Sequence, residues 1–470
     1  MHGDTLFSYL YGNADFLNSE DVPSYGRRAI LDTLGCSLFG SDRPWVRMTG
    51  ELVDQRAGTS ASVSGRGRVE ASAAALVNAT AAHGFELDDY VEGCLVHPGA
   101  VVVPAVLATA EEVGADGATA LRGIVAGYEL MARLGLGMGP LRGDLGMHYT
   151  GQLGGPAAAI ACGIVRGFDL DQLRNAVGIA ASMGGGIKAF TQGTGGMVKR
   201  LHAGRASEAG VIAAALTAKG FSGPLQALDG PCGILQALGG PDADASHLTD
   251  GLGDELMIAR NWVKMYPCCA VLHAGAQAVE ELVAENSLSL DDIASVRIGG
   301  HERMVTQNSG RAITDIMAAQ YSMPFVAAAA LLGEARDPAA YRSDRAEDPV
   351  FQRAMGLVTV DPDPEVQAVY PRQFGARVEI RTTGGQAFDR QIMRPIGSAF
   401  SKVGDAEVED KVHRLVDGIL GRPLTDELVE RVFAIGPGTT FDGIGRILAN
   451  RQRPTTHETG KDALLSEATQ

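Results

Sequence analysis

Apolar positions recur at helical spacing along most of this chain, and most of them are small. From about Val22 to Leu238 the sequence reads as successive helices of Ala, Gly, Val and Leu with Gly or Pro between them, as in Gly155 to Val165 and Ala206 to Ala218. The run Ala71 to Ala82 holds strong helix formers and no breaker. Its pattern predicts a helix that continues to Asp89 and sets His83, Glu86 and Tyr90 on one face. Pro98 and Gly99 then open a further apolar helix, Val101 to Ala108, with His97 at its start. Aromatic residues make up only 6% of the chain, so this core has to be filled by small side chains, which let helix axes approach closely.

The pattern changes after Tyr266-Pro267-Cys268-Cys269. A helix from Leu272 to Asn286 leads to strand-like segments at Ser295 to Gly299 and Leu357 to Val360. Ala376 to Thr382 and Gln386 to Ile392 alternate with period two around Gly384-Gly385, the strongest hairpin signal present. Amphipathic helices return over Val408 to Leu420 and Thr425 to Ile435. The fold class expected is mainly α, a large all-helical domain plus a smaller α+β lid domain. The boundaries predicted are a helical part over 1–266, a lid over 267–396, a returning helical part over 397–450 and a polar tail over 451–470. Such a layout places a cleft at the domain boundary.

Composition narrows the function classes. The 470 residues carry 56 acidic and 40 basic side chains, a net charge of −16, which argues against nucleic acid and leaves an anionic substrate dependent on a local cationic pocket. No run of about 18 apolar residues and no basic-then-apolar leader occurs, so no membrane partner is expected and the chain reads as cytoplasmic. The six cysteines form no CxxC pair, and reduced, packing thiols are the simpler reading.

Three clusters concentrate chemistry. The first is His83-Gly-Phe-Glu86-Leu-Asp88-Asp89-Tyr90 with His97-Pro98-Gly99; two carboxylates near a helix C-terminus oppose its dipole and need partners, a functional reason or water. The second, Gly143 to Pro156, sets His148, Tyr149 and Thr150 among glycines before an apolar helix whose N-terminus attracts an anion, although a loop histidine is often only a hydrogen-bonded surface group. In the third, Gly193 to Arg205, Lys199 and His202 are three apart and share a helix face. They form a carboxylate clamp or, with Arg200 and Arg205, merely a solvated helix start. His273, near the start of its helix, suits a neutral base or a core position. Gln320-Tyr321-Ser-Met-Pro-Phe325 alone reads as ordinary packing.

Several motifs fail. Arg200 follows Lys199 where a Walker loop needs Ser or Thr, and Gly135-Leu-Gly137-Met-Gly139 lacks the dinucleotide spacing. HExxH is absent, and His83, Glu86, Asp89 and His97 are too loose a set to predict a metal.

Taken in order, Glu86-Leu-Asp-Asp-Tyr90 with His97-Pro-Gly, Lys199-Arg-Leu-His-Ala-Gly-Arg-Ala, Gly220-Phe-Ser-Gly-Pro, Lys264-Met-Tyr-Pro-Cys-Cys with His273, and Gln320-Tyr-Ser-Met-Pro-Phe resemble the MmgE/PrpD family over most of the chain. That family contains 2-methylcitrate dehydratase, cis-aconitate decarboxylase and iminodisuccinate epimerase. The resemblance implies a homodimer acting on a small anionic carboxylate substrate with no metal and no organic cofactor. The family pocket maps onto Glu86, Tyr90, His97, His148, Lys199 and His273. On that reading His97, oriented by Glu86 or Asp89, transfers a proton, Lys199 with His148 holds carboxylate, and His273 carries the second proton. Asp89, Tyr90, His202, Tyr321 and Phe325 complete the substrate-binding set. Phe325 stands where the decarboxylase has tyrosine, Glu86 where it has aspartate and Tyr90 where it has threonine, and the spacer to His97 is one residue longer. These departures argue against itaconate formation. A 2-methylcitrate dehydratase-like (de)hydratase is therefore expected first, ahead of an iminodisuccinate-type epimerase, a cis-aconitate-type decarboxylase and a non-catalytic carboxylate-binding protein.

Overall fold

The computed structural model describes residues 1–12, 21–54, 56, 58–139, 146–192 and 196–449. The expected tail, 451–470, and the glycine-rich pieces 143–145 and 193–195 lie outside the described residues. The chain is mainly α with a small α+β part. By contact it divides into two compact units, one of Met1–Gly84, Asp88–Asn261 and Gly404–Gln470, the other of Phe85–Leu87 and Trp262–Val403. The first unit contains α1 (His2–Gly12), α2 (Asp21–Gly40), α3 (Pro44–Val53), α4 (Ala71–Ala82), α5 (Pro98–Val113), α6 (Gly117–Met138), α7 (Tyr149–Val165), α8 (Leu170–Ala181) and α9 (Val198–Ala218). The second holds α10 (His273–Glu285) and α11 (Met323–Leu331), and the first unit resumes with α12 (Asp405–Leu420), α13 (Arg422–Phe433) and α14 (Asp442–Ala449).

Small side chains set the packing of the larger unit. Every residue of α4 is buried, and α9 packs against α4, α5, α7 and α8. At Gly210 the crossing of α9 over α7 is so close that an added Cβ would lie 2.2 Å from Ala158 Cβ and 2.7 Å from its carbonyl carbon. The returning helix α12 docks on α2, where the buried Lys411 Nζ meets Asp32 Oδ1 at 2.5 Å. The all-helical reading of this stretch needs one correction: β1 (Ala61–Val63) and β2 (Gly67–Val69) form a short antiparallel hairpin. Ala61, Ser62 and Val63 are all buried, so neither face is polar, and the run is too short to announce a strand by alternation.

A second correction concerns the first cluster. The helix does not reach Asp89: α4 stops at Ala82, His83 caps it, and the chain then turns through Glu86, whose φ is +55°. Gly84 follows the cap where an added Cβ would stand 2.7 Å from the Ala81 carbonyl oxygen, a stop signal hidden inside a run of titratable residues. His83, Glu86 and Tyr90 thus share no helix face, and Tyr90 with Val91 forms β3.

In the smaller unit β4 (Ile293–Gly300), β5 (Val358–Pro362), β6 (Ala376–Thr382) and β7 (Ala387–Ile392) make a sheet of order β5-β4-β6-β7. β6 and β7 are the expected hairpin, with Ile380 opposite Phe388 and Gly385 at φ +86° in the turn. β4 runs antiparallel to β6 and parallel to β5. Among the described residues no helix is long and apolar enough to cross a membrane.

Gly210→Val should overpack the α9–α7 crossing and cost about 1–3 kcal/mol. A lower melting temperature is expected, and an unchanged one would show that the crossing is not set by this glycine.

Candidate active site

Three helices of the larger unit begin at the residues singled out for chemistry. His97 is the N-cap of α5, His148 the N-cap of α7, and Lys199 and His202 lie in the first turns of α9. The three starts meet: the His97 backbone N–H donates to Thr150 Oγ1 in the first turn of α7 at 3.3 Å, and His148 Nδ1 lies 2.9 Å from His202 Nδ1. Their positive ends favour anions at one place. Lys199 and Arg200 are both buried, so this is no solvated helix start; Arg200 stacks over Trp45 and reaches the Gly84 carbonyl, while Arg205 is exposed and pairs with Glu208.

Four imidazoles form a row. His97 lies 5.0 Å from His83 by ring centroids, His83 5.8 Å from His148, and His148 5.0 Å from His202, with Phe190 against the last two and Tyr90 5.6 Å from His97. Asp88 is buried beneath the first two: its Oδ2 lies 2.6 Å from His83 Nδ1 and 3.2 Å from His97 Nδ1. His97 Nδ1 also faces the Asp89 carbonyl at 2.6 Å. Neither a carbonyl nor an ionised carboxylate can donate, so Nδ1 carries the hydrogen and the neutral ring holds its lone pair on Nε2. His83 and Asp88, not Glu86, are the partners that the sequence reading missed. The signal was present in their spacing around the Gly84 stop, and the assumption of a continuous helix hid it.

Asp89 does a different task from the one expected of its carboxylate. Its Oδ1 accepts the Gly99 N–H at 2.9 Å and its Oδ2 accepts the Tyr128 hydroxyl at 2.5 Å, so the carboxylate locks the start of α5 while the carbonyl turns His97. Only glycine fits at 99, where an added Cβ would stand 2.8 Å from both Asp89 oxygens. Tyr128, on α6, carried no local sequence signal.

Burial dominates the electrostatics. It pushes the His83 imidazole down to about 3 against the pull of Asp88, and His202 down to about 4 with help from Lys199. Burial and then the neighbouring imidazoles of His83, His202 and His97 hold His148 well below its usual range. For Asp88 burial works upward, but His83 and His97 outweigh it and keep the carboxyl well below normal. His83, His148 and His202 are thus held as neutral imidazoles near one carboxylate, with the Lys199 ammonium beside them.

His83, Asp88 and His97 are the one group among the described residues with ligating atoms mutually within 4.8 Å, close enough to hold a metal ion. Each imidazole of the group also has an oxygen acceptor at Nδ1, Asp88 Oδ2 for His83 and the Asp89 carbonyl for His97; Asp89 itself meets Gly99 and Tyr128, and Glu86 meets Lys264 Nζ at 3.3 Å.

The remaining expected residues belong to the smaller unit. Glu86 is buried in its pair with Lys264, and Gln320 Nε2 holds the neighbouring Phe85 carbonyl at 2.7 Å. His273 is wholly buried at the start of α10, edge-on to Trp262 and Tyr266, with Nε2 3.3 Å from the Cys268 carbonyl. Phe325 is wholly buried against Phe351 and Tyr341, and Tyr321 caps the short helix Ile316–Gln320.

Residues 16–246 match the model of the MmgE/PrpD N-terminal domain, and residues 266–434 that of the MmgE/PrpD C-terminal domain. The chain is 29% identical over 297 residues to a cis-aconitate decarboxylase-like protein, oryM, of Aspergillus oryzae, covering 59% of this chain and 61% of that protein. It is 27% identical over 311 residues to a cis-aconitate decarboxylase of Aspergillus terreus, covering 61% and 62%. The matched region thus spans about three-fifths of these relatives' length.

Burial, reinforced by Asp32 and Asp88 and opposed by the Tyr128 and Gly99 hydrogen bonds, lifts the Asp89 carboxyl to about 6. An unfolded aspartate titrates near about 3.9, so the folded protein binds this proton more tightly. The resulting stability is fully present below about pH 4 and is lost as pH rises through about 6. Asp89→Asn should remove this component, so urea midpoints measured from pH 4 to 7 will fall less, or rise more, with pH than in the parent. Parallel curves would contradict the assignment.

Proposed function

Because the chain belongs to the MmgE/PrpD family, we propose that it is a cofactor-independent lyase of a small di- or tricarboxylate, with a 2-methylcitrate-like hydroxy acid as its first substrate class. The observation that carries this reading is the 2.6 Å contact of His97 Nδ1 with the Asp89 carbonyl, which can only accept and so places the ring's hydrogen on Nδ1 and leaves Nε2 as the base. His97 Nε2 takes the proton from the carbon beside a carboxylate, and the electron pair moves into that carboxylate as an enolate-like dianion. Lys199 and the starts of α5, α7 and α9 offset the developing charge. The pair then returns to form the double bond as hydroxide leaves with a proton and departs as water. His148 is our choice for that proton: if His202 donates to its Nδ1, His148 carries its hydrogen on Nε2, and once water has left, the proton held on His97 returns through solvent to His148, so both rings end neutral. His273 is less suited, being enclosed by Trp262 and Tyr266 with Nε2 at a backbone carbonyl.

The two Aspergillus relatives favour a second reading, cis-aconitate-type decarboxylation. There a C–C bond to the departing CO2 breaks, the same carboxylate-stabilised carbanion forms, and an imidazolium returns a proton to it. Both readings need the charge stabilisation; they differ in whether His97 begins neutral or protonated.

Incubation with a panel of di- and tricarboxylates in deuterated water separates them. An unsaturated acid lighter by water supports the hydro-lyase, release of CO2 supports the decarboxylase, and deuterium exchange without either supports an epimerase. His97→Ala and Lys199→Ala should each lower kcat by about 100- to 10,000-fold with a melting temperature close to the parent's. A folded variant with undiminished turnover would sink the corresponding role.

A further inference from the structure

His83 is a completely buried imidazole that the proposed reaction does not use. It leaves α4 as its cap and directs Nδ1 at Asp88 Oδ2, 2.6 Å away, while the same oxygen lies 3.2 Å from His97 Nδ1. One carboxylate oxygen is therefore hydrogen-bonded to the His83 ring and within ion-pair distance of the His97 ring, whose own hydrogen bond is to the Asp89 carbonyl, so the shorter contact belongs to the ring away from the proposed base. Asp88 Oδ1 is buried with no hydrogen-bond partner among the described residues, so no other contact sets how the charge of Oδ2 is divided. His83 Nε2 is likewise buried without a partner, which leaves the Asp88 contact as the ring's hydrogen bond.

We propose that His83 is a positioning residue that tunes the basicity of His97 through the carboxylate that both rings adjoin, Asp88 Oδ2. The function suggested for this tuning rests on the reading of His97 as the base, but the tuning itself does not. By donating to Oδ2, His83 withholds part of the carboxylate's charge from His97 and keeps the His97 imidazolium less stable than an undivided Asp–His pair would make it. A base that must be neutral to act, yet must hold a proton once it has taken one, benefits from that compromise. His83 suits the task because burial keeps it neutral across the working range, so its own titration does not intrude. The other groups that face this pair are Asp89 through its carbonyl, Tyr90 of β3, His148 at the start of α7 and Lys199 of α9.

The direction of the effect distinguishes tuning from mere packing. Removing the His83 donor should make His97 more basic, whereas removing the Asp88 charge should make it less so. The test is NMR titration of His97 in substrate-free protein labelled at histidine, with the signal assigned by its loss in His97→Ala. His83→Leu should raise the His97 midpoint by on the order of one pH unit, Asp88→Asn should lower it, and His83→Asn, which places an amide N–H near the lost Nδ1–H, should return it close to the parent's. An unshifted or lowered midpoint in His83→Leu overturns the proposal. If His83→Leu does not fold, His83→Asn carries the test: a midpoint near the parent's is the expected result, and a shift of about a unit overturns it. Turnover separates this from the function above. The acid limb of kcat/KM should follow the NMR midpoint in each variant if His97 is the base. An NMR shift with an unmoved limb would leave the tuning standing and remove His97 from the base role.

Discussion

The close approach of α4, α5, α7 and α9 is the constraint on which the site depends. The three helix starts that bring His97, His148, Lys199 and His202 together can meet because alanine and glycine line the crossings behind them. α4 is buried along its whole length, and α9 passes α7 at a glycine with no room for a methyl group. A core of large side chains would fill the same volume with wider spacing between axes, and the imidazoles would fall out of reach of one another. The small-residue composition is therefore a condition of the chemistry.

The same closeness creates an electrostatic demand that the site resolves unevenly. Helix starts and an ammonium favour negative charge; of the three neighbouring carboxylates Asp88 faces the imidazole row, while Asp89 is turned to Gly99 and Tyr128 and Glu86 pairs with Lys264. Three carboxylates within four residues thus take three separate tasks: one divides its charge between two histidines, one caps a helix and one forms a buried ion pair.

How much of this was legible follows from which signals are local. The hairpin around Gly384-Gly385, the helices on either side of His148 and the Lys199–His202 face are written in nearest-neighbour chemistry, and each stands within a few residues of its expected place. The end of α4 was also local, but Gly84 was overshadowed by the helix formers before it and the titratable groups around it. Tyr128 and Lys264 were not legible, since each meets its partner from a distant part of the chain. The parallel pairing of β4 with β5 is likewise non-local: the strand residues set the register only once the intervening helices return the chain to the sheet.

The positions at which this sequence departs from the decarboxylase pattern divide along the same line. Glu86 and Phe325 belong by contact to the smaller unit, one in an ion pair and the other in an aromatic cluster, while His97, His148 and Lys199 belong to the larger. Tyr90, the third departure, packs beside His97 itself. Under the proposed mechanism, the tautomer of the base is set within the larger unit, by the Asp89 carbonyl beside Asp88. A change at position 90 alters the immediate surroundings of that base. Under the proposed mechanism, Tyr90 is therefore the departure that bears most directly on the surroundings of the base, and so on whether a C–H or a C–C bond breaks.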